Sequence, residues 1–439
     1  MNITRLIIGA VLTAASIVLA DSGSFKVLTY NVAGLPEGLS SSNPSENTPY
    51  ISSRLSHYDL INVQEDFNYH AALYASDSHL YRTPTSGGAA IGSGLNTLSN
   101  FPYIDLVRTT WNDCNLNSGD CLTPKGFTSL RIQLGTSQWL DVYNLHTDAG
   151  SESGDLSARA KNIAQLLAFM ENYSAGMPVI VMGDTNMRYT TIGDSARLFS
   201  EAGFTDAWVE LWRNNTAPAA TGTALTCAFP FPSGTTPEQM MSCEMVDKIF
   251  YRSSAVLSLD ATSMGNEDDA FLHPTNGTPL SDHYPLTASI EYDDADDLRL
   301  SDVVGGPHGD WFNDVTIMAG GVKRLTKLTL AGGERVDSVA VENDGLAART
   351  WGGTGGTARS IALAAGEGIT EVKACQGQKD GNTRVFYLQV TMSAGRTLAA
   401  GKETSDCKTL TAPSGFMAVG FWGRSGNEVD RIGVIWGKL

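Results

Sequence analysis

The sequence predicts an α+β sandwich followed by an all-β module. Three observations carry that expectation. Between Ser24 and Tyr292, short and almost continuously apolar segments alternate with one long helical pattern. The acidic run "DDADDLRL" (Asp293 to Leu300) then interrupts that pattern. Beyond it glycine and short β-type runs dominate, with no convincing amphipathic helix. At 439 residues the chain exceeds one ordinary core, so two domains are expected.

The elements follow in chain order. Arg5 and the apolar stretch Leu6 to Ala20, ending in the small residues Val18 and Ala20, predict a signal peptide over residues 1–20. The stretch is short for a membrane span, and no later segment is apolar enough to cross a bilayer. The mature chain is therefore expected to begin near Asp21 and to be secreted. Residues 24–292 form the first domain. In it, "FKVLTYNVAG", "DLINVQED", "QWLDVYNLHTDAG", "MPVIVMGDTN", "MVDKIFYR" and "LTASIEY" predict strands, several of them ending in polar residues. "DLSARAKNIAQLLAFMENY" predicts a helix, with Leu156, Ala160, Ile163, Leu167 and Met170 at helical spacing and Ser153 or Asp155 as its cap. Residues 293–301 are expected to be a solvated acidic linker. Residues 302–439 form the all-β module, from runs such as "RLTKLTLAGG", "RVFYLQVTMS" and "DRIGVIWGK".

Composition narrows the function. Apolar content of 42% and charged content of 18% belong to a globular protein. A net charge of −17 argues against a large basic groove for nucleic acid. The six cysteines fall into three local pairs, Cys114 with Cys121, Cys227 with Cys243, and Cys375 with Cys407. In an oxidising compartment three local disulfides are the simplest reading, and no pair has the spacing of a zinc finger. Asn172, Asn214 and Asn276 open N-x-Ser/Thr sequons and are candidate glycan acceptors.

Chemistry is suggested by what stands at the strand ends: Asn31, Glu65, His146, Asp184 with Asn186, Asp247, and Asp282 with His283. Singly, each is an ordinary turn former or surface group. Together they are the kit for a phosphodiester. Hard cations take carboxylate and amide oxygens, which Glu65 and Asn31 supply. Asp184 and Asn186, two apart, face one side of an extended segment. A neutral histidine can take a proton from water when a carboxylate fixes its tautomer.

In this order, "LTYNVAG", "INVQED", "YNLHTDAG", "VMGDTNM", "MVDKIFYR" and "SDHYPL" resemble the motifs of the endonuclease/exonuclease/phosphatase superfamily. That family includes deoxyribonucleases, apurinic endonucleases, inositol polyphosphate 5-phosphatases and neutral sphingomyelinases. The resemblance covers Ser24 to Tyr292 and implies a four-layered sandwich, two packed β-sheets flanked by helices. It implies Glu65 as the main metal ligand with Asn31 beside it, and Mg2+ as the cation, with Mn2+ or Ca2+ as alternatives. It implies His283 as general base, His146 as the histidine of phosphate and leaving group, and Asp184 with Asn186 as the pair that positions the nucleophile. Asp247 and Asp282 become active-site acids, Asp247 through the looser match "VDKIF". Neighbours in an extended segment point to opposite sides, so His283 is expected to be oriented by a distant carboxylate such as Asp247 rather than by Asp282.

"CLTPKGFTSLRIQL" and "SDHYPL" resemble stretches of secreted bacterial sphingomyelinases. Phe229 and Phe231 in "CAFPFPSG" offer a candidate apolar hairpin, although a disulfide-tied proline loop is the plainer reading. "VVGGPHGDWFND" and "GFWGRSGNEVDRIGVIW" resemble the jacalin-related lectins, which implies a β-prism of three four-stranded sheets. The sugar site implied by that resemblance joins Gly306 to the loop Gly426, Asn427, Glu428, Val429 and Asp430. The expectation is a secreted metal-dependent phosphodiesterase acting on a sphingolipid or phospholipid headgroup and targeted to glycans by its lectin module. A secreted deoxyribonuclease, and a glycan-binding protein with a silent first domain, are the alternatives.

Overall fold

The structure is a computed structural model that describes residues 22–438 apart from positions 118 and 319. The expected signal segment lies outside the described residues. Twelve strands build the first domain. They are β1 (Ser22–Asn31), β2 (Leu60–Gln64), β3 (Tyr81–Arg82), β4 (Asn96–Ser99), β5 (Tyr103–Thr110) and β6 (Gly126–Gly135), followed by β7 (Gln138–His146), β8 (Val179–Asp184), β9 (Thr205–Asp206), β10 (Asp247–Arg252), β11 (Leu257–Asn266) and β12 (Leu286–Asp294). They form two six-stranded sheets, ordered β11-β12-β1-β2-β4-β3 and β5-β6-β7-β8-β10-β9.

The central strands β1, β2, β7 and β8 are buried along most or all of their length, which is why they lack a clean polar alternation. The sheets pack face to face, but the seam between them is partly polar. Asn62 Nδ2 donates to Tyr143 O at 2.9 Å, Gln64 Nε2 to Asn144 Oδ1 at 2.8 Å, and Asn144 Nδ2 to Val63 O at 2.9 Å. Each of these amide nitrogens is thereby satisfied, as the low dielectric requires, while the buried Gln64 Oε1 has no hydrogen-bond partner among the described residues. On one outer face, Ile51 of the helix Pro44–Ser52 packs with Leu28, Tyr30, Ile61 and Val63. On the other, Ile163, Leu166 and Met170 of the helix Ser153–Tyr173 enter the main core. Helix, sheet, sheet and helix make the four layers.

Two local expectations change. The long helix is capped by Glu152, one residue before Ser153, in a reciprocal capping box with Asp155. Its buried face also includes Asp155, Arg159 and Asn162 rather than apolar residues alone. Arg159 donates to Asp148 O and Gly150 O and pairs with Asp194 at 3.0 Å, so the helix is clamped by hydrogen bonds as well as by packing.

All three cysteine pairs are bonded as expected. Cys375 and Cys407 face each other on adjacent strands of one sheet. Asn172, Asn214 and Asn276 are exposed.

The acidic run 293–301 is not a free linker. Asp293 and Asp294 finish β12, and Leu298–Leu300 adds a strand to the edge of the second domain by pairing with Val429–Lys438. Arg299 neutralises Asp294 at 2.9 Å. The second domain is a prism of three antiparallel sheets, with the strand Leu298–Leu300 extending the first to five members and the other two having four each. Its own core holds Leu328, Val339, Leu388, Val390, Phe421 and Trp436.

The domains share an interface rich in tryptophan. Trp311 and Trp422 of the prism stack on each other at 5.7 Å, and Trp422 meets Trp139 of β7 edge-on at 5.7 Å. The guanidinium of Arg131, paired with Asp141 at 2.6 Å, lies 3.8 Å from the centre of the Trp311 ring.

Candidate functional site

Strand register gathers the polar residues at one end of both sheets. Asn31 ends β1, and Glu65 follows β2, its parallel neighbour. His146 lies opposite Asp184 at the ends of β7 and β8, and Asp184 lies opposite Asp247 at the start of β10. His283 stands just before β12, which pairs with β1. Three non-glycine residues here adopt left-handed backbone: Ala33 at φ 47°, Glu65 at 57° and Asn186 at 50°. Such conformations cost roughly 1–3 kcal/mol each and persist where surroundings enforce them. Gly34 shows one constraint, since a Cβ there would sit 2.5 Å from Glu65 O.

Asp184 is the hub. Its Oδ2 accepts from Asn31 Nδ2 at 3.1 Å and lies 3.2 Å from His146 Nε2 and 3.6 Å from His283 Nε2. Its Oδ1 accepts the Asn186 N–H at 3.0 Å. That last bond closes a turn, so Asp184 and Asn186 do not share the face of an extended segment. Asn186 Nδ2 instead donates to Thr147 O at 3.3 Å. Burial pushes the Asp184 carboxyl up, but His283, His146 and Lys125 outweigh it and hold the group at about 2.

His283 Nδ1 meets Asp247 Oδ2 at 2.8 Å. Burial pushes its pKa down, and Asp247 and Asp184 together raise it well above the ordinary value. Asp247 itself is raised by burial. Asp282, although adjacent, is exposed and accepts from Ser41 Oγ, so it is not in the pair that fixes the ring. His146 is driven down to about 3 by burial and by the Lys125 charge, and is neutral at physiological pH. Its backbone carbonyl accepts from Trp111 Nε1 at 2.7 Å.

Glu65 accepts from Asn31 Nδ2 at 3.1 Å and is raised by burial. Asn31 Oδ1 in turn accepts the Ala33 N–H at 3.0 Å. With carboxylates on its nitrogen side and an N–H on its oxygen side, the amide has one satisfied orientation. In this geometry Asn31 steadies Glu65 and Asp184 as a donor, which differs from its expected place as an oxygen ligand. The donor set still fits a hard cation. Asp184, Asp247 and His283 bring ligand atoms within 4.8 Å of one another, the buried Asp247 Oδ1 has no hydrogen-bond partner, and the Glu65 carboxylate is linked to Asp184 through the shared donor Asn31 Nδ2.

A cleft of about 360 Å³ opens beside the cluster, with Asn186, Arg188, Asp247, Asp282, His283 and Tyr284 in its lining. Phe229 and Phe231 both pack on the Tyr284 ring, at 5.0 and 4.4 Å, which ties the Cys227–Cys243 loop to its rim. Sequence reasoning missed two cations here. Arg188 lines the cleft. Lys125 pairs with Asp120, reaches Thr147 O at 3.4 Å, and acts electrostatically on Glu65, His146 and Asp184. The "KGF" run was the available signal for Lys125.

In the prism, Gly306 N donates to Asp430 O at 2.8 Å, so the expected glycine and loop do meet. Asp430 is buried, however, and its Oδ1 is held by Arg384 Nη1 at 2.8 Å. Glu428 is likewise held, by Arg335, Arg384 and Lys379. Gly426 and Asn427 are exposed and Val429 is fully buried.

A two-sheet sandwich with this cluster, joined to a three-sheet prism, defines a two-domain protein of recognisable class. Residues 46–229 match the endonuclease/exonuclease/phosphatase family 2, and residues 301–435 match the jacalin-like lectin domain. The chain thus belongs to the jacalin-like lectin family through its second domain and carries an endonuclease/exonuclease/phosphatase domain before it. It is 40% identical over 283 residues to a sphingomyelinase of Mycobacterium bovis, covering 62% of this chain and 53% of that one. The chain therefore spans about half the length of the curated sphingomyelinases it matches. It is 32% identical over 116 residues to horcolin of Hordeum vulgare, covering 25% of this chain and 80% of horcolin. A sphingomyelinase C structure from Streptomyces griseocarneus is 20% identical with a TM-score of 0.41, covering 62% of this chain and all of that one.

Proposed function

We propose that this chain is a secreted, metal-dependent phosphodiesterase that hydrolyses the headgroup phosphodiester of a sphingolipid, with the prism holding it on glycans near its substrate. The observation that carries the reading is the His283 ring, set between Asp247 at 2.8 Å and Asp184 at 3.6 Å in one buried cluster with Asn31, Glu65 and His146. Similarity to sphingomyelinases supports the lipid over a nucleic acid. So does the net charge of −17, since non-specific grip on DNA rests on cations. Three disulfides support an extracellular setting, and no helix among the described residues is long and apolar enough to cross a membrane.

Each side chain then has a task. Asp247 fixes the His283 tautomer with Nε2 free to take a proton from water. Asp184 accepts from Asn31 and Asn186 and offers a carboxylate to the attacking water. His146, neutral, turns Nε2 towards the same carboxylate and can donate to a phosphoryl oxygen. Lys125 and Arg188 add positive charge where the phosphate's charge builds. Glu65, with Asp184 and Asp247 nearby, would hold a divalent cation such as Mg2+, which supplies charge neutralisation at the phosphate when bound. The test is release of phosphocholine from sphingomyelin vesicles by purified protein with Mg2+, set against cleavage of plasmid DNA. Faster turnover of the DNA would replace this reading with a deoxyribonuclease.

A further inference from the structure

A second cleft, of about 470 Å³, shares no lining residue with the one beside His283. Trp111, Asp113, Asp120, Lys125 and Asp148 are among the residues that line it. Three of them tie it to the His146–Asp184 pair. Trp111 Nε1 donates to His146 O at 2.7 Å, the Lys125 charge bears on both His146 and Asp184, and Asp148 follows His146 by two positions. The Cys114–Cys121 disulfide closes the loop that supplies part of the wall.

The acids of this cleft are unequally matched. Asp113 pairs with Lys161 at 2.6 Å. Asp120 pairs with Lys125 and accepts the Ala149 N–H at 3.0 Å. Asp148 is only 1% exposed. Its Oδ2 accepts the Asn115 N–H at 2.6 Å, while its Oδ1 has no hydrogen-bond partner among the described residues. A buried carboxylate oxygen left bare is costly, and a counter-charge removes that cost. Burial first, and then the Asp120 and Asp155 charges, push the Asp148 carboxyl up to about 6, as expected where negative charge lacks its partner.

The geometry tells which cation fits. A metal ion needs its ligand atoms drawn together. Among the described residues Asp113, Asp120 and Asp148 make no group whose ligand atoms all lie within 4.8 Å of one another. A bulkier organic cation suits acids set round a wide cleft. An indole ring beside them favours it further, since aromatic rings attract ammonium groups. Ile91 and Leu122, both exposed, line the same cleft and add apolar surface. We infer that this cleft takes the cationic nitrogen of a zwitterionic headgroup whose phosphate lies at His146 and Lys125, with Asp148 as the residue that selects it. The inference rests on the phosphodiesterase reading and adds what such an enzyme recognises beyond the phosphate.

Turnover of p-nitrophenyl phosphocholine and of methyl p-nitrophenyl phosphate by the full chain with Mg2+ tests it, because the two esters share a leaving group and differ in the cation. The wild type should favour the choline ester by about tenfold or more in kcat/KM. Asp148→Asn should bring the ratio close to parity, through KM, and leave kcat/KM for the methyl ester unchanged. Asp113→Asn should lower the ratio by about two- to threefold, and it carries the test if Asp148→Asn does not fold. Equal use of the two esters by the wild type would overturn the inference and leave the phosphodiesterase reading standing. So would a ratio kept in both variants. If neither ester is cleaved, that reading falls and titration calorimetry decides the cleft. Phosphocholine binding weakened about tenfold by Asp148→Asn would uphold it, and phosphocholine bound no more tightly than inorganic phosphate would overturn it. p-Nitrophenyl phosphoethanolamine then identifies the cation. A rate near that of the choline ester means that charge alone is read, and a lower rate means that the methyl groups are read as well.

Discussion

At the scale of single residues, the account turns on what partners do to two imidazoles. Asp247 raises the proton affinity of His283, and a base works only when unprotonated, so activity falls below its pKa. Removing the carboxylate by Asp247→Asn lowers that pKa. The acid limb of the kcat/KM profile should move to lower pH, while the rate on the plateau falls by about 100-fold or more as the tautomer is lost. A limb that stays in place would detach Asp247 from His283. His146 gives a stability prediction of opposite sense. Its folded pKa of about 3 lies below the ordinary 6.5, so its contribution is intact above about pH 6.5 and is lost as pH falls towards 3. His283, raised, contributes below its ordinary value and loses that contribution as pH rises. Melting curves of His146→Gln should therefore show a shallower loss of Tm than the wild type between pH 6.5 and 3.

The identities in this cluster were legible because each stands at the end of an apolar run, where a polar residue announces a strand's end. Their bonding was not. Nothing in "GDTN" shows that Asp184 folds back on the Asn186 N–H, or that the Asn31 nitrogen rather than its oxygen faces Glu65. Those details depend on left-handed residues that only the packed end of two sheets can enforce. Lys125 escaped because a lysine before a strand ordinarily faces solvent.

At the scale of elements, β7 and β8 set the spacing of the site. Gly183 lets them approach: a Cβ there would stand 2.1 Å from Leu145 O, one position before the His146–Asp184 pair. Gly183→Ala should destabilise the fold by about 1–3 kcal/mol through forced separation of the strands. It should also reduce turnover, measured by denaturant unfolding and phosphocholine release on the same preparation. Full activity and wild-type stability would show that the strands part without moving the pair. Buried strands such as "QWLDVYNLH" were legible from continuous apolar character. β5 and β11 were not, because β5 is half-buried along its length and β11 alternates with many exposed positions. The acidic run misled for a related reason. Charge suggested solvation, whereas Leu298 and Leu300 turn inward and complete the prism's edge.

At the scale of the whole molecule, the two domains are one body. Arg424 and Arg431, on strands flanking the Asp430 loop, both donate to Asp105 of β5, at 2.8 and 2.7 Å. The largest apolar cluster runs from Phe25 and Val27 through Trp139 to Trp422 and Ile435. Calorimetry should show one cooperative transition. Asp105→Ala, which strands two partly buried guanidinium groups, should cost about 3–5 kcal/mol and separate the unfolding of the domains. Two transitions in the wild type would contradict this picture. The existence of two domains was legible from the change in composition after Tyr292. Their docking was not, since Trp311, Trp422 and Arg131 lie far apart in the chain and carry no shared pattern.

The central claim is that His283, oriented by Asp247, activates water against a sphingolipid phosphodiester. The most direct test is phosphocholine release from sphingomyelin vesicles by the wild type and His283→Ala at saturating Mg2+. The account predicts turnover by the wild type, and a loss in the variant of about 100-fold or more in protein that circular dichroism shows to be folded at the assay temperature. Equal turnover by the two proteins would contradict it.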